Sequence, residues 1–142
     1  MNTIKVFVYG TLKPGEANYH LYCAGKVVEE KRAITYGQLF DLPLGYPAMT
    51  PGESLVQGFL LTFADLGILS ALDELEDYDS SRTPEKNEYY RQQIETYDLS
   101  EQALGLAWVY LMTTDQVQRL KGVLIPSGWW SGYVNQQFTI HN

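Results

Sequence analysis

Ile4-Lys5-Val6-Phe7-Val8-Tyr9-Gly10-Thr11-Leu12 is the stretch on which the reading of the fold turns. Its first six residues are mostly β-branched or aromatic, which predicts a strand from Ile4 to Tyr9 running into a turn at Gly10. Pro14-Gly15 then breaks the chain. Glycine permits backbone angles that other residues avoid, so consecutive N–H groups in this turn could converge on one point. Such a nest suits a carboxylate or an oxyanion. It is not a Walker-type phosphate loop, because the G-x-x-x-x-G-K-[ST] spacing is absent. Taken alone, a strand followed by a glycine turn is common and reads as structural.

Outward from this strand, a short helix is expected around Ala17 to Cys23. Lys26 to Phe40 holds two strand-like stretches, with Gly37 a bulge or bend between them. Asp41 to Gly52 carries Pro43, Gly45, Pro47, Pro51 and Gly52 and reads as a loop with little freedom. Ser54 to Phe63 alternates as a strand. Asp65 to Asp77 changes to a helical period, with Asp65 placed to cap it. A polar loop follows from Asp79 to Glu88, then strands at Tyr89 to Tyr97 and Ala103 to Met112, and a helix at Thr114 to Lys121. Residues 126–132 are turn-rich but carry Trp129 and Trp130. No repeat or linker divides the 142 residues, so one domain spanning 1–142 is expected. Strands and helices interleave without regular βαβ alternation. The class is therefore α+β, with a mixed sheet curled or closed into a barrel.

Composition narrows the functions. An apolar share of 45% is that of a globular chain. The net charge of −7, without a basic stripe, repels polyanions and argues against nucleic-acid binding. No run approaches the roughly twenty apolar residues that span a bilayer, so no membrane role is expected. The first apolar run is too short for a signal-peptide core. The single cysteine, Cys23, suits a reducing cytoplasm and reads as a small buried residue rather than a nucleophile. His20 and His141 lie far apart, and no spacing suggests zinc. Asp77, Asp79, Ser81, Thr83, Glu85 and Glu88 fall at calcium-loop offsets, but Arg82 occupies the glycine position, so an acidic solvated loop is the reading and no metal is expected.

The helix carries the sharpest local signal. With about 100° per residue and Leu72 at zero, Leu69, Ile68 and Leu75 form an apolar arc. Asp73, Glu74 and Asp77 fall outside that arc and are expected to face solvent. Glu76 falls at about +40°, inside it. A carboxylate aimed at the core either reaches a cavity or carries a penalty. It could also snorkel at the margin, or pair with a strand arginine such as Arg91.

Tyr9-Gly10-Thr11-Leu12 and Leu72-Asp73-Glu74-Leu75-Glu76-Asp77-Tyr78 together resemble the gamma-glutamylcyclotransferase-like family, whose second motif reads Leu-Asp-x-x-Glu-Gly-Tyr. Gly45-Tyr46-Pro47-Ala48, Val56-Gln57-Gly58, Tyr89-Tyr90-Arg91 and Ala107-Trp108-Val109-Tyr110-Leu111 follow the family order as well. Asp77 stands where the family has glycine. The resemblance implies a small mixed β-barrel and the cyclisation of a gamma-glutamyl group of a small molecule, with release of 5-oxoproline. It implies Glu76 as general acid and base, the turn Tyr9, Gly10, Thr11 and Leu12 as the holder of the glutamyl carboxylate, and Tyr110 as a substrate contact. No cofactor is expected, and the sequence does not distinguish a monomer from a homodimer. A non-catalytic small-molecule binding module on the same barrel, and an acyltransferase using an external amine, stay open as alternatives. Arg91 reads as a structural ion-pair partner.

Overall fold

The computed structural model describes residues 2–132 of the chain. His141 lies outside the described residues. Strand β1 (Ile4–Val8) leads to a one-turn helix α1 (Tyr19–Tyr22), shorter than expected, and then to two long strands, β2 (Val27–Asp41) and β3 (Pro47–Phe63). Helix α2 (Ile68–Leu75), β4 (Tyr90–Tyr97), β5 (Ala103–Leu111), α3 (Thr114–Arg119) and the two-residue β6 (Val123–Leu124) complete the order. The sheet order is β3-β1-β5-β4-β2-β6, and β3 also pairs with β2, so five strands close into a ring with β6 on its margin. Every pairing is antiparallel except that of β1 with β5, which makes the sheet mixed, as expected.

The β2–β3 hairpin is the largest element, registering from Val27 opposite Phe63 to Asp41 opposite Pro47. Its register slips between Gly37 and Gln38, the bulge that Gly37 signalled. A side chain at Gly37 would run into Met49 and the carbonyl of Thr50. Residues 47–52, read from the sequence as loop, belong to β3. Proline and glycine content misled that reading. At the bulge, three residues of β3 loop out without ending the strand: Gly37 faces Ser54, whereas Gln38 faces Thr50.

β1 sits between β3 and β5, and its alternation sorts two cores. Phe7, and Tyr9 just past the strand's end, join Leu60, Val109 and Leu111 in a cluster built otherwise from strand residues and Trp130. Val6 and Val8 join Leu61, Phe63 and the α2 residues Ile68 and Leu72 in the second. The first fills the ring and the second lies beneath α2, each large side chain contributing roughly 1.5–3 kcal/mol when fully buried. Cys23 belongs to the second cluster, and burial pushes its thiol up to about 11, the behaviour of a packing residue. His20 is exposed on α1.

Candidate active site

Helix α2 ends one residue before Glu76. The N–H of Tyr78 bonds the carbonyl of Asp73 at 2.9 Å, and the N–H of Asp77 bonds that of Glu74 at 3.3 Å. This is a Schellman ending, with Glu76 at the C-cap and Asp77 at the left-handed position, φ 54°. The left-handed position is where glycine is favoured, which accounts for the family pattern. Asp77 accepts the strain more readily than most residues and also takes a hydrogen bond from Arg82 at 3.3 Å. Asp77→Val is therefore expected to be less stable than Asp77→Gly by about 1–2 kcal/mol, measured by urea unfolding, because a β-branched residue resists that angle. At its start, α2 has Gly67 at the cap without a side-chain bond. Asp65, expected to cap it, lies two residues before the cap and instead accepts from the N–H of Gly67 at 2.8 Å.

Glu76 is set by backbone on both sides. Its N–H bonds Leu72, and its carbonyl accepts from the N–H of Tyr89 at 3.3 Å, while Glu88 N–H bonds Asp77 at 3.4 Å. The helix exit is thus stitched to the residues entering β4. Beside them lies a cleft of ≈ 190 Å³ whose wall includes the backbone of Gly10, Thr11 and Leu12 together with Tyr9, Tyr46, Glu76, Glu88, Tyr89 and Tyr110. The cleft therefore brings together every site residue read from the sequence. Burial raises the Glu76 carboxyl from 4.5 to about 8, and the nearby Glu88 carboxylate adds to the shift. Among the described residues no hydrogen bond or ion pair engages the Glu76 side chain.

Arg91 does not pair with Glu76. Its Nε donates to Asp73 Oδ1 at 2.8 Å, and the Tyr110 hydroxyl donates to the same oxygen at 2.7 Å. Asp73, placed outside the apolar arc by helical phase and expected in solvent, is only 20% exposed at its side chain. The strands β4 and β5 curl up beside α2 and cover that flank, which no periodicity of the helix alone could register. The Tyr9 hydroxyl donates to the carbonyl of Tyr110 at 2.6 Å and accepts from the N–H of Met49 at 3.3 Å, tying β1, β5 and β3 together at the cleft floor.

The turn itself is closed by the N–H of Lys13 on the carbonyl of Gly10 at 3.0 Å and by Asn18, which bonds both the carbonyl and the hydroxyl of Thr11. Among the described residues the N–H groups of Gly10, Thr11 and Leu12 donate to no protein group. Gly10 does not adopt a positive φ, contrary to the reason given by its sequence context. Glycine is needed there for space: a Cβ would lie 2.6 Å from Cγ of Pro47. Lys13, unassigned from sequence, is 1% exposed. It donates to the carbonyl of Trp130 with its ammonium 3.4 Å from the Trp129 ring centre. Burial lowers that ammonium to about 8. It fastens the segment 126–132 behind the turn and does not line the cleft.

Sequence reasoning missed Glu88 as a cleft residue, reading it as part of an acidic loop. Its hydrogen bond from the Tyr46 hydroxyl, 2.6 Å, joins residues forty-two apart in the chain. Of the other loop acids, Asp79 turns back onto Ser81 at 2.9 Å. Among the described residues no group of three or more metal-ligating side chains gathers, and no helix is long and apolar enough to cross a membrane.

A strand ring with a glutamate at a helix exit, set over a strand-turn, is an architecture with known relatives. The family described as gamma-glutamyl cyclotransferase, AIG2-like, matches residues 6–132, and the chain belongs to it. It is an enzyme of the gamma-glutamyl cyclotransferase class, which acts on small gamma-glutamyl substrates. A provisionally named gamma-glutamylcyclotransferase of Vibrio cholerae is 34% identical over 125 residues, covering 88% of this chain and 93% of that protein. A second, also provisionally named, from Halalkalibacterium halodurans is 34% identical over 109 residues, covering 75% and 88%. In fold, the chain is similar to the crystal structure of a mouse AIG2-like protein, with a TM-score of 0.69 at 21% identity, covering 92% of this chain and 90% of that one.

Proposed function

We propose that the cleft cyclises a gamma-glutamyl group, releasing 5-oxoproline and a free amine or amino acid, with Glu76 carrying protons between the two nitrogens. The observation behind this reading is that, among the described residues, one cleft holds a partly buried carboxyl without a hydrogen-bond partner and a turn with three amides that donate to no protein group. In the reaction, the substrate's α-amine attacks its own γ-carbonyl carbon. A C–N bond forms in the five-membered ring, and the C–N bond to the departing amine breaks. The nucleophile is tethered, so the protein mainly holds a reactive conformation. The attacking nitrogen sheds two protons on its way from ammonium to lactam N–H, and the leaving nitrogen gains two as it departs as an ammonium. Glu76, starting as carboxylate, relays them one at a time and ends in its starting state. A carboxyl raised to about 8 lies close to the basicity of an amine, so the proton can pass both ways with little driving force. The N–H groups of Gly10, Thr11 and Leu12 hold the α-carboxylate, with Tyr9 and Tyr110 flanking it. The scheme uses no cofactor, takes residues 1–142 as one domain, and works equally in a monomer or a homodimer.

The direct test is incubation with a panel of gamma-glutamyl amines, amino acids and peptides, scored for 5-oxoproline. Release of the free amine without 5-oxoproline would point to acyl transfer or hydrolysis instead, and binding without turnover would point to a binding module. The turn is tested separately. Charge-assisted hydrogen bonds are worth roughly 1.5–3 kcal/mol. The α-amide analogue of a good substrate should therefore bind about ten- to a hundredfold more weakly, read by calorimetry. Equal binding of acid and amide would return the turn to a structural role.

A further inference from the structure

Glu88 is the feature of the cleft that the proton shuttle leaves unused. It is fixed by the Tyr46 hydroxyl on Oε2 at 2.6 Å. Its backbone is bonded to that of Asp77, next to Glu76. Among the described residues no lysine or arginine pairs with it, and the side chains lining the cleft include two carboxylates and no cation. The chain as a whole carries a net charge of −7. A partly buried acid held in place without a counter-charge sets a field that favours a cation in the ligand.

The chemistry of the substrate says where such a cation would be. The glutamyl part is a zwitterion, with its α-ammonium facing Glu76 and its α-carboxylate on the amides of the turn. Charge on the departing amine therefore decides the balance. A gamma-glutamyl amino acid adds a second carboxylate, which would meet Glu88 with no cation in the cleft to offset it. A gamma-glutamyl amide of a diamine adds a positive charge instead. We propose that Glu88, held by Tyr46, is a specificity-determining residue that selects gamma-glutamyl amides whose departing amine carries a second positive charge. This deepens the reading of the cleft given above and rests on it.

The test uses three probes: the gamma-glutamyl amides of diaminobutane and of pentylamine, matched in length but differing in one charge, and gamma-glutamylglycine. The parent enzyme should convert the diaminobutane compound with kcat/KM about five- to thirtyfold above the pentylamine compound, since a partly solvated charge pair is weaker than a buried one. Gamma-glutamylglycine should be the poorest of the three. In Glu88→Gln the ratio of the first two should fall to about one. The ratio cancels any common effect of the change on Glu76 or on folding. No preference in the parent, or a ratio unchanged in Glu88→Gln, overturns the proposal; equal losses on all three probes would mean that Glu88 reads the α-ammonium. If no probe yields 5-oxoproline, the cyclisation reading fails by itself. Calorimetric binding of the same pair then decides the role of Glu88: a preference lost in Glu88→Gln supports it, and equal binding overturns it.

Discussion

Glu76→Gln is expected to lower kcat by about 10²- to 10⁴-fold while the fold is kept, because a single group relays the protons that pass between the two nitrogens. Glutamine fills the same volume and can still donate a hydrogen bond, but it cannot accept and return a proton. In the parent, kcat/KM should rise with pH up to about 8, where the carboxyl ionises, and level off above it, until the substrate's own amine intervenes. Stability should move the other way. The folded carboxyl titrates near 8 and the unfolded one near 4.5, so between these values the folded state holds the extra proton. Parent stability therefore falls as pH rises through that window and stays lowered above it. Solvent entering the cleft keeps the penalty below the limit of about 1.4 kcal/mol per unit. Glu76→Gln should melt above the parent near pH 9 and together with it near pH 4. Near-normal release of 5-oxoproline by the variant would remove Glu76 from the base role.

Gly10→Val is the second large effect, and it is expected to reduce both stability and turnover. The Cβ alone would lie 2.6 Å from Cγ and 2.9 Å from Cδ of Pro47, at the start of β3. Relieving that overlap means moving the turn or the strand, at about 1–3 kcal/mol for overpacking of this kind. The displacement falls on the amides proposed to hold the substrate, so activity should drop further than stability alone explains. Pairing Gly10→Ala with Pro47→Ala identifies the cause. If contact with the proline ring is responsible, the double variant should recover most of the stability lost in Gly10→Ala. If a backbone angle were responsible, Pro47→Ala would bring no recovery.

Each of the five ring strands was legible at least in part in the sequence, and the marginal β6 was not, because alternation and β-branched content are local properties of the backbone. The helix period likewise singled out Glu76, and the order of the short motifs pointed to the family before any fold was known. What local pattern could not supply was whatever depends on a neighbour distant in the chain. Pro47 to Gly52 looked like loop until β2 lay alongside. Asp73 looked solvated until β4 and β5 covered it. Gly10 looked like a backbone hinge until Pro47 was found packed against it, and Glu88 looked like surface until Tyr46 reached it across forty-two residues. Periodicity is written by φ and ψ one residue at a time. Closure of the ring through β2–β3 and the parallel β1–β5 pairing bring the turn, the helix exit and the β4 entrance to one cleft, and only the packed ring decides which side chains meet there.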